Sequence, residues 1–312
     1  MTAPVFVVGS DRSGTTLLRL MLTCHPTIAI PPESLFALEL YPAWGEVRLE
    51  QAAQIHALCD DLYEDAMFRE WQVDRETLEQ AIIDRLPSNY ADFVNLVYLT
   101  YAQQVQPSAT RWGDKNPRYT MHLTWIWRLF PGAQVIHIIR DGRAVFGSFR
   151  DTNRKAGRII WPQTVSAAAR SWTIRLTKAR QHRANTNYTE VFYEKLVESP
   201  ETELRRLCDF LDLEYDPGML DFADANRREE LVPKRQLVWH DATLGPVQDS
   251  RVAAWQQSLS PSDIARFELM AGHHLISCGY PLQASRLGRF GAVNTVVLYA
   301  ATALRKFFGM QV

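Results

Sequence analysis

Cysteine is scarce in this chain: four residues among 312, at positions 24, 59, 208 and 278, with no CxxC pair. That scatter offers neither a zinc site nor a disulfide framework, and it implies reduced, buried thiols in a cytoplasmic protein. Charge of one sign is missing too. Lys and Arg number 34 against 35 Asp and Glu, a net charge of -1, so nucleic acid is not an expected partner and any basic site must be local. A secretory leader is not apparent, because MTAP runs directly into VFVVG, which reads as a strand. The apolar run AVNTVVLYAATAL, followed by Arg305 and Lys306, is shorter than the roughly 20 residues of a membrane span. It is expected as a C-terminal helix over about 290–310, packed on the domain, with peripheral membrane contact as the alternative. Repeats and low-complexity linkers are also lacking, so residues 1–312 read as a single domain. At 46% hydrophobic and 22% charged the chain has ample material for a core.

What is present is a set of short β-branched runs separated by long helical stretches: VFVVG, QVIHIIR (134–140) and YTEVFY (188–193). Such runs suit strands buried on both faces, and the expected class is α/β, a P-loop-like parallel sheet flanked by helices. Between the first two runs lies a mostly helical stretch, with Asp74 as a cap signal before RETLEQAIIDRL and the aromatic-rich NYADFVNLVYLTYAQQ. It predicts a helical insertion over about 34–110, above the site. Pro131-Gly132 marks a turn into the second run, and Pro200 and Ser260-Pro261 open helices. The tract 227–257 carries Pro233, Gly245 and Pro246 and is expected as an irregular lid.

The first strand ends in GSDRSGTT. Gly9 and Gly14 have the spacing of a Walker A loop, but Thr15 and Thr16 stand where its lysine belongs, and the loop's cation is Arg12. A strand, a turn and a helix starting near Thr15 converge backbone N–H groups and a positive helix end on one point, which suits an anion. Ser13, Thr15 and Thr16 add hydroxyls, and Arg12 can fork onto two oxygens. The second strand ends in Arg140-Asp141-Gly142, with Ser148 eight residues after Arg140, as in a second anion site. Asp141 reads as a helix cap or, alternatively, a metal ligand. Two phosphate sites without a Walker lysine point away from ATP and towards a nucleotide phosphorylated at both ends.

Together, Arg12-Ser-Gly-Thr-Thr, Arg140 with Ser148, and Phe192-Tyr193-Glu194, each after a strand run, resemble the sulfotransferases that use 3′-phosphoadenosine 5′-phosphosulfate (PAPS). The run RSGTTLLRLMLTCHP followed by Glu33 looks more like the tyrosylprotein and bacterial branch than the cytosolic small-molecule branch. The latter has a lysine in its first loop and a histidine base where Pro117 stands here. The resemblance implies PAPS as co-substrate without a metal. Arg12, Ser13, Gly14, Thr15 and Thr16 would hold the 5′-phosphosulfate, Arg140 and Ser148 the 3′-phosphate, and Tyr193 would contact the nucleotide. It also implies catalytic roles: Glu33 as general base, with Lys115 and Arg12 offsetting charge as the sulfur–oxygen bond breaks. Arg251 and Trp255 resemble a segment that closes over the donor.

Plainer roles stand beside these. Glu33 also fits the first turn of a helix over SLFALEL, Lys115 a polar surface break, and Tyr193 a core position. His240, in the lid tract, is an alternative base. The expected acceptor is a small molecule, lipid or glycan with a hydroxyl or amine. The competing functions are a Mg-dependent P-loop kinase and a nucleotide-binding module without catalysis.

Overall fold

The computed structural model describes residues 3–47 and 51–283; the helix expected over 290–310 lies outside the described residues. Five parallel strands form the centre: β1 (Val5–Gly9), β2 (Ile28–Ala29), β3 (Arg111–Lys115), β4 (Gln134–Ile139) and β5 (Tyr188–Phe192), in the spatial order β2-β3-β1-β4-β5. Register aligns their C-terminal ends. Gly9 pairs with Ile138, Val7 with Lys115, and Ile139 with Phe192. The phosphate loop, Lys115, Arg140 and Tyr193 therefore emerge along one edge of the sheet, where ligands of open parallel sheets bind.

Strand alternation sorts the core. Phe6 and Val8 of β1 face one layer, shared with the insertion, and Val5 and Val7 face the other, shared with helix α1 (Thr15–Thr23). The insertion holds α2 (Ala52–Glu64), α3 (Arg75–Arg85) and α4 (Tyr90–Val105). Asp74 accepts from the Thr77 N–H and Asn89 from the Asp92 N–H, so side chains satisfy donors that a helix start leaves open. Its aromatics Trp71, Tyr90, Phe93, Tyr98 and Tyr101 are buried against β1 and β3 and make core. After β4 come α5 (Gly142–Ala156) and α6 (Val165–Arg180); after β5 come α7 (Pro200–Leu211), α8 (Phe222–Glu229), α9 (Lys234–His240) and α10 (Pro261–Ser277).

Two strands escape the sequence reading. β2 is only two residues long, and β3, RWGDK, is polar yet fully buried, its charges being met by partners from other segments. The tract 227–257 is also more regular than expected. It contains α9, a 3-10 turn (Asp241–Leu244) and two four-residue helices, Ser250–Ala253 and Trp255–Ser258. Elements this short, separated by Pro233, Gly245 and Pro246, show no readable period. All four cysteines are free thiols, three of them buried and Cys24 half-buried.

Candidate active site

The loop between β1 and α1 is shaped by two left-handed residues, Arg12 (φ 65°) and Gly14 (φ 101°). Alternation of this kind turns successive N–H groups towards one side, a concavity suited to an anion. Gly14 is required twice over: for its φ, and because a Cβ there would lie 2.4 Å from Cδ2 of Tyr193. The Tyr193 ring thus packs directly on the loop, and the Arg140 guanidinium sits 4.1 Å from the ring centroid on a π-face. Arg140 also donates to the carbonyls of Arg12 (3.1 Å) and Arg251 (2.9 Å), while its Nε is buried with no hydrogen-bond partner.

A cavity of 390 Å³ opens over this loop, walled by Arg12, Thr15, Thr16, Arg140, Ser148 and Tyr193 and closed on the far side by the segment holding Arg251 and Trp255. Arg12 Nε donates to Ser148 Oγ (3.2 Å), so its side chain spans from the loop to the second expected anion site. Gly14 also lines the cavity. Ser13 does not: its hydroxyl (2.6 Å) and its N–H (3.1 Å) both donate to Ser10 O, which makes it a brace within the turn. Asp141 caps α5, and its carboxylate is gripped by Arg143 Nη2 (2.6 Å) and Nε (3.0 Å). That pairing occupies the group read alternatively as a metal ligand.

Lys115 and Glu33 lie beside this cavity and do not line it. Lys115 ends β3 only 1% exposed, ion-paired with Glu33 and donating to Thr16 Oγ1 (3.2 Å). Burial lowers its pKa, and the Glu33 carboxylate works against that shift. The Glu33 segment is pinned by its neighbours: Ser34 Oγ donates to Asp65 (2.6 Å), and Asn116 Nδ2 to Ser34 O (3.3 Å). Glu33 precedes the helix Phe36–Glu39 without capping it, Leu35 being the cap residue.

His240, at the end of α9, comes down on the loop. Its Nε2 is 3.5 Å from Thr16 Oγ1 and its Nδ1 3.4 Å from Arg12 Nη1. Burial, with Arg12, Lys115 and Arg19 close by, holds its pKa well below the usual 6.5, so the ring is neutral here. Thr16 Oγ1 is the common atom between the two histidine and lysine contacts. The sequence reading missed Arg19, buried three residues beyond Thr16, and Arg175 of α6, which joins loop residue Asp11 (2.8 Å) to Pro117 O (3.1 Å). A charge inside an apolar helix was the available signal for Arg19; Arg175 gave none. His25 and His137 are structural: His25 Nε2 lies 2.8 Å from Glu214 O, and His137, its pKa pushed down to about 3 by burial, lies 2.6 Å from Tyr188 OH.

Fold and site together define a parallel-sheet protein with an arginine-bearing loop and a cavity at its strand ends. The sulfotransferase family profile matches residues 4–217, and the chain belongs to that family. It is 25% identical over 226 residues to a putative protein-tyrosine sulfotransferase of Caenorhabditis briggsae, covering 69% of this chain and 68% of that protein. It is 27% identical over 301 residues to nodulation protein NoeE of Sinorhizobium fredii, where the match covers 88% of this chain but 65% of the relative. Among solved structures, the sulfotransferase domain from the curacin biosynthetic pathway superposes with a TM-score of 0.60 at 20% identity, over 90% of this chain and 99% of that one, a likeness of fold.

Proposed function

We propose that this chain moves a sulfuryl group from PAPS to a hydroxyl or amine acceptor by in-line transfer, in the cytoplasm. The observation that carries the reading is the meeting of Arg12, Thr15, Thr16, Arg140 and Ser148 around one cavity. That set offers cations and hydroxyls to the anionic groups of a nucleotide, with Tyr193 as an aromatic wall.

In this reading the loop N–H groups, Thr15 and Thr16 grip the 5′-phosphosulfate, and Arg140 and Ser148 grip the 3′-phosphate. Arg12 turns from Ser148 towards the sulfuryl group. Glu33 leaves Lys115 and takes the acceptor proton as the acceptor oxygen or nitrogen bonds to sulfur. The bond from sulfur to the bridging oxygen breaks, its electron pair stays on the 5′-phosphate, and Lys115 and Arg12 offset that charge. 3′,5′-Diphosphoadenosine leaves. His240 is less suited to the base role, since its ring rests on the donor side of Thr16.

Small molecules, lipids and glycans with a hydroxyl are the first acceptors to try. A peptide tyrosine is the second, favoured by similarity to the putative protein-tyrosine sulfotransferase. The test is mass spectrometry of protein, PAPS and an acceptor panel without Mg²⁺. A sulfate mass increment on an acceptor supports the reading. A phosphate increment, seen only with Mg²⁺ and ATP, would establish the kinase alternative instead.

A further inference from the structure

Helix α1 reads TTLLRLMLT, and the one charge in it, Arg19, is 2% exposed. A guanidinium so deeply placed is costly unless its donors are used. Two are. Nη1 donates to Ile30 O (3.2 Å) and Nη2 to Leu231 O (2.5 Å), while Nε is buried without a partner.

The two carbonyls belong to the two segments the proposed chemistry needs. Ile30 leads into Pro31-Pro32-Glu33, where the prolines offer no N–H to tie the segment down. Its carbonyl otherwise receives only the Thr23 hydroxyl (3.4 Å) among the hydrogen bonds described. Leu231 opens the run into α9, which ends in His240 above the phosphate loop. On α1, Thr16 and Arg19 are three apart and share a face, and Thr16 Oγ1 takes contacts from both Lys115 and His240.

We propose that Arg19 is a positioning residue that couples the lid to the base-bearing segment, so that seating His240 over the donor cavity and setting Glu33 against Lys115 occur together. The mechanical coupling stands on the two carbonyls alone; what it does for turnover rests on the sulfotransferase reading. The same charge acts electrostatically. Lys115 lies within the field of Glu33 and Asp114, which raise its pKa, and of Arg19, which lowers it; His240 feels Arg12, Lys115 and Arg19, all lowering.

The test is backbone hydrogen exchange on the full chain, without nucleotide, comparing wild type with Arg19→Lys and Arg19→Met. Lysine keeps the charge but exchanges between the two carbonyls, so that it holds neither segment as the forked guanidinium does. Exchange in residues 27–35 and 231–240 should rise together by roughly tenfold, from the loss of a charge-assisted hydrogen bond, with β4 and α6 unchanged. A rise in neither segment, in one only, or by the same factor throughout the chain would overturn the coupling. If Arg19→Met does not fold, the Arg19→Lys comparison decides alone. A second readout is formation of 3′,5′-diphosphoadenosine from PAPS against pH, with an acceptor from the panel present. Removing the charge in Arg19→Met should move the alkaline limb, set by loss of the Lys115 proton, upward, with Arg19→Lys unshifted. A limb that stays in place in Arg19→Met would remove the electrostatic part. If wild type sulfates no acceptor of the panel while the two segments still loosen together, the functional reading fails and the coupling stands.

Discussion

The wall proposed to hold the donor and the wall proposed to face the acceptor are built by opposite means. On the donor side, a backbone concavity and the side chains of Arg12, Arg140 and Ser148 surround an open cavity, and the hydrogen bonds described for Arg140 and Ser148 go to carbonyls or to another donor side chain. Beside the cavity, Lys115 is buried and closed onto Glu33, while His240 lines the cavity and lies 3.5 Å from the Thr16 hydroxyl. The backbone concavity of the first wall lowers the cost of ordering a ligand there, and of its three side chains Arg12 is the one that turns in the proposed transfer. The second wall is self-neutralised, and in the proposed transfer its ion pair opens for the carboxylate to take a proton.

Substitutions should separate the walls. Glu33→Gln removes the proposed proton acceptor and should lower kcat by about 100-fold to 10,000-fold, with nucleotide affinity nearly unchanged; steady-state kinetics paired with titration calorimetry checks both halves. Arg140→Ala should do the reverse, weakening 3′,5′-diphosphoadenosine binding by about 100-fold through loss of a charged contact, with the Glu33–Lys115 pair left intact.

Acid should loosen the lid that joins the walls. The His240 ring binds a proton more weakly when seated than when released, where its ordinary value of 6.5 returns. The unseated state is therefore the better proton acceptor. Each pH unit below that value should favour lid opening by up to about tenfold, with no such trend above it. Proteolysis rates within 227–257, in wild type and His240→Gln, read this directly; the glutamine form should lose the pH trend. The smallest effect belongs to Tyr193→Phe. Its ring, packed on Gly14 and under Arg140, is retained, so nucleotide affinity should change less than about threefold, whereas Tyr193→Ala should cost about tenfold.

The donor wall was also the wall that could be read in the sequence. GSDRSGTT, Arg140 with Ser148, and Tyr193 each sit at the end of an apolar strand run, where local pattern and chemistry coincide. The acceptor wall depends on contacts between distant segments. Lys115 belongs to a strand whose buried charges are met by carbonyls, side-chain hydrogen bonds and Glu33 from other segments, so RWGDK looks like a loop. Arg19 is bound by backbone carbonyls, one of them 212 residues away, and a carbonyl carries no sequence signature. Ser13 has the right type and place, but the turn consumes both its donors. The lid was visible as a tract yet not as short helices, because its four- to seven-residue pieces are held by packing on the body of the protein.

The most direct test of the central claim, a preformed site for a nucleotide phosphorylated at both ends, is titration calorimetry of the full chain with 3′,5′-diphosphoadenosine in the presence of EDTA. The account predicts one saturable site per chain, weakened about 100-fold in Arg140→Ala and not competed by ATP at equal concentration. No binding without Mg²⁺, or equal binding by wild type and Arg140→Ala, would contradict it.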